Sequence, residues 1–317
     1  MQPADFLRAS RVVIVAGKGG VGKTTVTAAL ARLAASQGQD TLIVEVEGKS
    51  GLAALFGRPP LDYEESILHP RTGTDGEVRG RTLTPDDALL EYLDDHGMRR
   101  VSKRLVSTGA LDVVSTAAPG IKDILILGKV KQLEQKNVAD LIVLDAPAAG
   151  HAITFLLAAR SLLDSVKVGP INTQAQEVVE LLGDPARASV MLVTLPEETP
   201  VNELVETAFH LEDRVGVSLG PVVVNGLYPH LDGLDVDPVA AAEAAGTTLR
   251  DGEAGALKEA AEFRRRRTAL QEEQLARLAE LLPLPQLRLP FLFKADLGPD
   301  DLTVLARALQ DGVEGLA

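Results

Sequence analysis

The chain has 317 residues, a net charge of −13 and no cysteine. The missing cysteines exclude a disulfide framework, a thiolate metal site and a cysteine nucleophile. The acidity argues against a broad nucleic-acid-binding face, which needs a basic surface, and aromatic residues are too few for base-stacking platforms. No apolar run approaches the roughly 20 residues that span a bilayer, and the N-terminus lacks the pattern of a secretory signal. We therefore expect a cytoplasmic protein that binds no nucleic acid and has no stable membrane insertion. Peripheral contact with a membrane stays open.

Short apolar runs alternate with helical stretches along most of the chain. The runs that predict buried strands are Val12 to Ala16, Thr41 to Val46, Leu141 to Asp145, Val190 to Leu195 and Pro221 to Asn225, with Arg81 to Leu83 and Leu287 to Leu289 as weaker candidates. The helices predicted between and after them span residues 24–36, 150–163, 173–182, 200–214 and 253–282. This alternation predicts an α/β fold, a doubly wound and mainly parallel sheet with helices on both faces. Ligands of such sheets bind at the carboxyl ends of the strands.

A glycine-rich loop, GKGGVGKT at residues 17–24, follows the first predicted strand and opens the first predicted helix. This is the context of a phosphate-binding P-loop, in which backbone N–H groups and the helix N-terminus bind phosphate oxygens. Lys23 is expected to reach the β- and γ-phosphates, and Thr24 to hold Mg²⁺. The same glycines satisfy the dinucleotide fingerprint, but that loop has no use for lysine and threonine at these two positions. The residues expected to bind the nucleotide here are Gly17, Gly19, Gly20, Val21, Gly22, Lys23, Thr24 and Thr25.

Residues 85–136 depart from the alternation because they contain no clear strand. They predict helices at residues 86–95, 98–105 and 121–136, which form a small helical subdomain inserted into a single P-loop domain spanning 1–317. An apolar stripe on the last of these helices predicts either core packing, the commoner outcome, or a groove for a partner. The four arginines at 264–267 point around a long predicted helix, which favours a solvated charged surface over a binding site.

Lys18 is a second lysine, one position after the first glycine of the loop. With it, residues 17–25 resemble the deviant Walker A loop of dimeric ATPases. These include the arsenite-pump, tail-anchored-protein-targeting and cell-division-site-selecting ATPases. The resemblance implies ATP and Mg²⁺ as ligands, and a Lys18 that reaches the nucleotide of the partner subunit. A second cation there would neutralise charge on the transferring phosphoryl group. The alternative is a solvated loop lysine.

Asp145 lies at the carboxyl end of a predicted buried strand, where an acid suits the water-mediated Mg²⁺ contact of a Walker B residue. Residues 145–151, DAPAAGH, resemble the D-x-A-P-T-G-H switch segment of the arsenite-pump and tail-anchor ATPases. That resemblance implies that Gly150 lets the backbone approach the γ-phosphate. For His151, a structural and a functional role stay open.

Glu47 stands where the resembling ATPases carry an aspartate that positions the attacking water. The extra methylene moves the carboxylate by roughly 1 Å, and misplacements of that size can cost about a hundredfold in rate. Three interpretations stay open: a working catalytic base, a slow ATPase, or a subunit that binds ATP without hydrolysing it. We interpret the neighbouring Glu45 as a half-buried acid at the end of its strand.

Asn225 closes another predicted strand, and the resemblance implies that it binds the adenine edge. Its side-chain amide offers the donor and the acceptor that match adenine N6 and N7. Asparagine also ends strands because it tolerates turns, which is the alternative. Pro290 and Phe291 follow the last predicted strand, where the resembling ATPases cover the adenine ring.

The resemblance extends over nearly the whole chain and is closest to the actinobacterial anion-transporting-ATPase-like paralogues. Without cysteine the chain cannot build the metalloid site of an arsenite pump or the zinc clasp of the tail-anchor ATPase. We predict a slow Mg-ATP-hydrolysing dimeric switch that binds or releases an unknown protein client through the helical subdomain, and not an arsenite carrier. The alternative is a weakly or non-hydrolysing regulatory subunit, so that a homodimer and a heterodimer with a paralogue stay open. A DNA-partitioning ATPase is disfavoured by the acidity.

Overall fold

The computed structural model describes residues 1–46, 51–95, 97–108, 120–147 and 149–316. Its strands are β1 (Val12–Gly17), β2 (Thr41–Val46), β3 (Ser66–His69), β4 (Val78–Leu83), β5 (Leu141–Asp145), β6 (Ala188–Thr194), β7 (Ser218–Leu219), β8 (Val222–Leu227) and β9 (Gln286–Pro290). Its helices are α1 (Pro3–Arg8), α2 (Lys23–Ser36), α3 (Leu52–Leu55), α4 (Pro85–Asp95), α5 (Arg99–Thr108), α6 (Ile121–Gln135), α7 (Ala149–Ser165), α8 (Pro170–Gly183), α9 (Glu198–His210), α10 (Pro238–Ala244), α11 (Glu253–Leu281) and α12 (Pro299–Glu314). A π-helical turn, Leu211–Val215, continues α9.

The described strands form one nine-stranded sheet in the order β3-β4-β2-β5-β1-β6-β8-β9, with β7 beside β6. Every pair is parallel except β3 with β4. Successive residues of β1 face opposite sides of the sheet: Ile14 packs in one core cluster and Val15 in another. The sheet is therefore covered on both faces, and β1 lies near its middle, between β5 and β6. The predicted α/β fold is confirmed.

The strong apolar runs all form strands, with ends shifted by a few residues at most. The two weaker candidates also form strands, and β4 is longer than predicted because it starts at Val78. Two strands have no counterpart in the prediction. The antiparallel β3 lies at the edge with Ser66 and Ile67 exposed, and β7 has only two residues. Neither carries the buried apolar run that predicts a central parallel strand.

Between β4 and β5 the described chain forms α4, α5 and α6 and no strand, as the sequence predicts. The apolar stripe of α6 is packed inside the protein, because Ile124, Leu127, Val130 and Leu133 all belong to the main core cluster. Leu125 packs against α4 instead. Core packing is thus the observed outcome for the stripe. Among the described helices, none combines the length and the apolarity needed to cross a membrane.

Candidate functional site

The glycine loop lies at the carboxyl end of β1, and α2 begins at Lys23. At two of its glycines there is no room for a side chain. A Cβ on Gly17 would lie 2.4 Å from the carbonyl oxygen of Val193 on β6. Gly22 has φ +91°, a left-handed conformation, and a Cβ there would lie 2.3 Å from Asn225 Nδ2. The loop is therefore packed tightly against the ends of two other strands.

Asn225 is the residue through which β8 contacts the loop. Its Nδ2 donates a hydrogen bond of 2.9 Å to the carbonyl oxygen of Val21. The structure thus brings Asn225 to the loop from more than 200 positions away in the chain. This contact also explains part of the close approach to Gly22.

Lys23 folds back over the loop that precedes it. Its Nζ donates to the carbonyl oxygen of Lys18 at 3.1 Å. Burial lowers the pKa of Lys23, and the charge of Asp145 opposes that change. A desolvated ammonium close to the loop backbone is suited to bind an anion that enters the loop.

Thr24 and Asp145 meet at the start of α2. The Thr24 hydroxyl donates to Asp145 Oδ2 at 2.7 Å, and Asp145 is 6% exposed. Burial raises the pKa of Asp145 to about 6; the Thr24 hydrogen bond and Lys23 oppose the rise, and Glu45 adds to it. Asp145 Oδ1 is buried and has no hydrogen-bond partner among the described residues. A hydroxyl beside a carboxylate with an unused oxygen fits the oxygen ligands that Mg²⁺ prefers.

Glu45 is more deeply buried than its interpretation as a half-buried acid implies. It is 4% exposed and accepts a hydrogen bond of 3.0 Å from the hydroxyl of Thr82 on the next strand. Its register partner on β5 is Asp145, so the two carboxyls share one end of the sheet.

Lys18 forms an ion pair that the sequence does not predict. Its Nζ lies 2.6 Å from Oε1 of Glu203, and both side chains are about 40% exposed. Glu203 belongs to α9, whose apolar residues face the core while this acid faces the loop. Nothing in the residues around Glu203 marks it, because the contact joins positions 185 apart.

An aromatic cluster lies beside Asn225. Phe291 N–H donates to the Leu227 carbonyl at 2.7 Å, which ties the end of β9 to β8. The ring centroid of Phe291 is 5.4 Å from that of Tyr228 and 4.7 Å from that of Phe293. Pro290 pairs with Leu227 at the end of the same ladder. The structure therefore brings Pro290 and Phe291 beside the end of β8, the strand that carries Asn225.

The four arginines differ in their surroundings. Arg266 pairs with Glu262 on the exposed side of α11, as a solvated surface predicts. Arg267 pairs with Glu197, just before α9. Arg264 departs from the prediction: its guanidinium lies 4.5 Å from the ring centroid of Tyr228 and 5.0 Å from that of Phe293. This residue completes the aromatic cluster, and the sequence gives no sign of it.

The chain is similar in sequence to known ATPases. The profile of the anion-transporting ATPase family matches residues 10–168, which run from before β1 to the end of α7. The chain belongs to this family. ATPase BagA of Mycobacterium tuberculosis is 37% identical over 301 residues, covering 88% of this chain and 87% of that protein. An arsenical pump-driving ATPase of Escherichia coli is 27% identical, over 68% of this chain and 34% of its own length. ATPase GET3C of Arabidopsis thaliana is 28% identical over 45% of this chain and 40% of its own length.

Family membership makes the chain a P-loop ATPase, an enzyme that hydrolyses ATP. Asn225, Pro290 and Phe291 lie outside the range that the family profile matches. Glu47 lies outside the described residues, as does Ala148 of the predicted switch segment. The helix α7 begins at Ala149, so Gly150 and His151 belong to its first turn. Gly19 and Gly20 are exposed in the loop, and Thr25 lies in the first turn of α2.

Proposed function

We propose that this family member is a dimeric Mg-ATPase switch, in which the nucleotide state controls the binding or release of a protein partner. One observation carries the ATPase part of the proposal. Thr24, Lys23 and Asp145 converge at the helix that follows the glycine loop, with a free carboxylate oxygen of Asp145 among them. A nucleoside triphosphate and its metal ion require this arrangement for binding.

Each residue of this cluster then has a distinct task. The loop amides and Lys23 bind the phosphates, because the lysine is desolvated and close to the loop backbone. Thr24 and Asp145 are the residues that would hold Mg²⁺, which when bound neutralises charge on the phosphates. Asp145 must be ionised for this, and Lys23 beside it favours that form.

Lys18 is proposed to act on the nucleotide of a second subunit. It is partly exposed, and its ammonium pairs with Glu203 of α9. Release from Glu203 would let it reach across an interface and neutralise charge on a transferring phosphoryl group.

Adenine is proposed to bind between Asn225 and the Pro290–Phe291 segment. A Cβ on Gly226 would lie 3.8 Å from Phe291 Cδ2, so the backbone after Asn225 and the Phe291 ring are near neighbours. An aromatic face and an amide at one corner of the site provide stacking and edge recognition for a purine.

The partner is proposed to bind through α4, α5 and α6, acting as a subdomain of one ATPase domain that spans residues 1–317. Because the apolar stripe of α6 is buried, the accessible surface is provided by the outer helices. α5 presents Arg99, Arg100 and Lys103 to solvent, in a chain of net charge −13. A partner with an acidic surface suits this face.

An arsenite-carrying function is not proposed. The chain has no cysteine, and among the described residues no group of three His, Asp or Glu side chains is placed to hold a metal ion. The alternative is a regulatory subunit that binds ATP, hydrolyses it weakly or not at all, and requires a paralogue. The observation that favours it is the glutamate at position 47, in place of the aspartate of the resembling ATPases.

The test is ATP binding by the purified chain with and without Mg²⁺, followed by steady-state hydrolysis. We expect wild-type affinity to increase with Mg²⁺, and Asp145→Ala to lose that increase while still binding ATP in a chelator. Lys258→Ala, an exposed lysine on α11, is the control. Failure of the wild-type chain to bind ATP contradicts the proposal. Tight binding without turnover supports the regulatory subunit.

A further inference from the structure

A cavity of about 400 Å³ lies between α4, α6 and α8. It shares no lining residue with the glycine loop or with Asp145. Among the described residues that line it, the charged ones are Glu91, Lys129, Lys131 and Glu177. Its volume falls in the range of small-molecule sites, roughly 300–1,000 Å³.

Lys129 forms one wall of this cavity. The lysine is 8% exposed, and its ammonium pairs with Glu91 of α4 and donates to Gln132 Oε1 at 2.9 Å. Glu91 also accepts a hydrogen bond from the Tyr63 hydroxyl. Burial acts to raise the pKa of Glu91, but the hydrogen bonds from Lys129 and Tyr63 outweigh it, so that its pKa lies below the ordinary value. Glu91 is therefore ionised at neutral pH.

Lys131 forms a matching pair on the opposite side. It is 6% exposed, and its ammonium pairs with Glu177 of α8. Two residues apart on a helix, Lys129 and Lys131 point in different directions, toward α4 and α8 respectively. The cavity thus lies between two ion pairs, each joining a buried lysine of α6 to a partly exposed glutamate of a neighbouring helix.

Gly128 leaves space for the side chain of Gln174, a further polar group that lines the cavity. A Cβ at this position would lie 1.5 Å from Gln174 Nε2, so only glycine lets the amide of Gln174 lie across α6. A glycine in a helix interior costs about 1 kcal/mol relative to alanine. At this position the glycine lets the Gln174 amide reach the cavity, which a larger side chain would prevent.

Stability does not explain this set of groups. Every residue of α6 from Ile124 to Lys131 is buried, so apolar side chains would suit positions 129 and 131. Replacing a buried ion pair by apolar residues is often neutral or stabilising, because desolvation offsets the attraction between the charges. Two buried lysines with glutamate partners at the wall of an open cavity, which the Gln132 and Gln174 side chains also line, are what a polar binding site requires.

We propose that this cavity binds a small zwitterion, a molecule of amino-acid size that carries both an ammonium and a carboxylate group. Its carboxylate would lie near Lys129 or Lys131, and its ammonium near Glu91 or Glu177.

The charge balance selects this class of ligand. The lining holds two lysines and two glutamates, so a net anion or a net cation would leave an uncompensated charge in the cavity. An uncharged ligand gains only hydrogen bonds to these groups, whereas a zwitterion also gains attraction between fixed charges, which is stronger in the interior than in water. This inference does not depend on ATP binding.

The test is calorimetric titration of the full, nucleotide-free chain with the neutral L-amino acids and glycine betaine. Succinate, putrescine and glucose represent an anion, a cation and an uncharged molecule. We expect one zwitterion to bind with one-to-one stoichiometry. Lys129→Gln, Lys131→Gln, Glu91→Gln and Glu177→Gln each remove one of the four charges, and at least one lysine variant and one glutamate variant should weaken binding by about tenfold or more. Lys136→Gln, at the exposed end of the same helix region, should leave affinity unchanged.

Hydrogen exchange on the wild-type chain provides a second readout that needs no variant. The bound zwitterion should slow amide exchange in α4, α6 and α8. The inference is overturned if no zwitterion binds at millimolar concentrations, if only succinate, putrescine or glucose binds, or if binding is insensitive to all four variants while they keep wild-type circular dichroism.

Discussion

Within a single chain, the ammonium of Lys18 lies 2.6 Å from the carboxylate of Glu203. Both side chains are about 40% exposed, and exposed ion pairs contribute only about 0–1 kcal/mol. Lys18 can therefore leave Glu203 at small cost when a stronger negative charge becomes available. The pair holds the lysine beside the loop without fixing it there.

Glu203→Gln should make Lys18 easier to release. If Lys18 acts on the nucleotide of a second subunit, the protein concentration that gives half-maximal ATP turnover should fall by about two- to fivefold. Turnover measured over a range of protein concentrations checks this. Glu206→Gln, on the exposed side of the same helix, is the control and should have no effect. A complete loss of turnover in Glu203→Gln would show that Glu203 acts in the reaction itself.

Asp145→Asn should stabilise the nucleotide-free protein at about pH 8. The carboxyl has a pKa of about 6 in the native state, against 3.8 for an unperturbed aspartate. Ionising it in the buried site therefore costs about 3 kcal/mol, which the amide avoids while still accepting from Thr24. Denaturant unfolding in a chelator, at several pH values, measures the difference between the two proteins.

The pH dependence of that difference follows from the direction of the pKa change. Between 3.8 and about 6 the native state binds more protons at Asp145 than the unfolded chain does. Its stability therefore falls as pH rises through this window, and the full cost is present above it. The advantage of Asp145→Asn should shrink as pH is lowered from about 6 toward about 4. An advantage independent of pH would contradict burial as the cause.

Gly22→Ala should weaken ATP binding by about tenfold or more. The new Cβ would lie 2.3 Å from Asn225 Nδ2, so either the loop or the asparagine must move. Gly233→Ala is the control for backbone strain without a clash. Gly233 has φ +78°, and no described atom lies within 4 Å of its added Cβ. That control should lose about 1 kcal/mol of stability and keep its ATP affinity. Equal affinities for wild type and Gly22→Ala would remove the loop from the binding site.

Arg264→Gln should weaken ATP binding by about two- to fivefold, because the guanidinium orders Tyr228 and Phe293 beside the proposed base site. Arg265→Gln is the matched control on the next residue of the helix. Arg265 is exposed and has no hydrogen bond or ion pair in the described part of the chain. Fluorescent-nucleotide titration compares the two variants. If both behave alike, the aromatic cluster does not contribute to nucleotide affinity.

The sequence predicts the parts of the site that belong to short continuous motifs. The loop, Lys23 and Thr24 follow one strand in an unbroken motif, and Asp145 ends a strand whose apolar run is unmistakable. The sheet follows from the same runs, because buried parallel strands are apolar on both faces. Where these strands end, parallel topology itself brings Asp145 to the loop.

Contacts between distant side chains could not be predicted. Glu203 is one acid among many in an acidic chain, and only the packing of α9 beside the loop makes it the partner of Lys18. Arg264 is one of four identical neighbours, and the orientation of α11 alone selects it for the aromatic cluster. Lys129 and Lys131 would be expected on a solvated helix face, yet α6 is buried on all sides along that stretch. Such contacts depend on how helices and strands pack against one another, which local sequence patterns do not predict.

The most direct test of the dimeric switch is steady-state Mg-ATP hydrolysis by the purified chain alone, over a range of protein concentrations, with Lys18→Ala beside it. The proposal predicts turnover per chain that rises with concentration in the wild type and collapses in the variant, while ATP affinity stays the same. Turnover that is independent of concentration, or unchanged in Lys18→Ala, would contradict an active site completed by a second subunit.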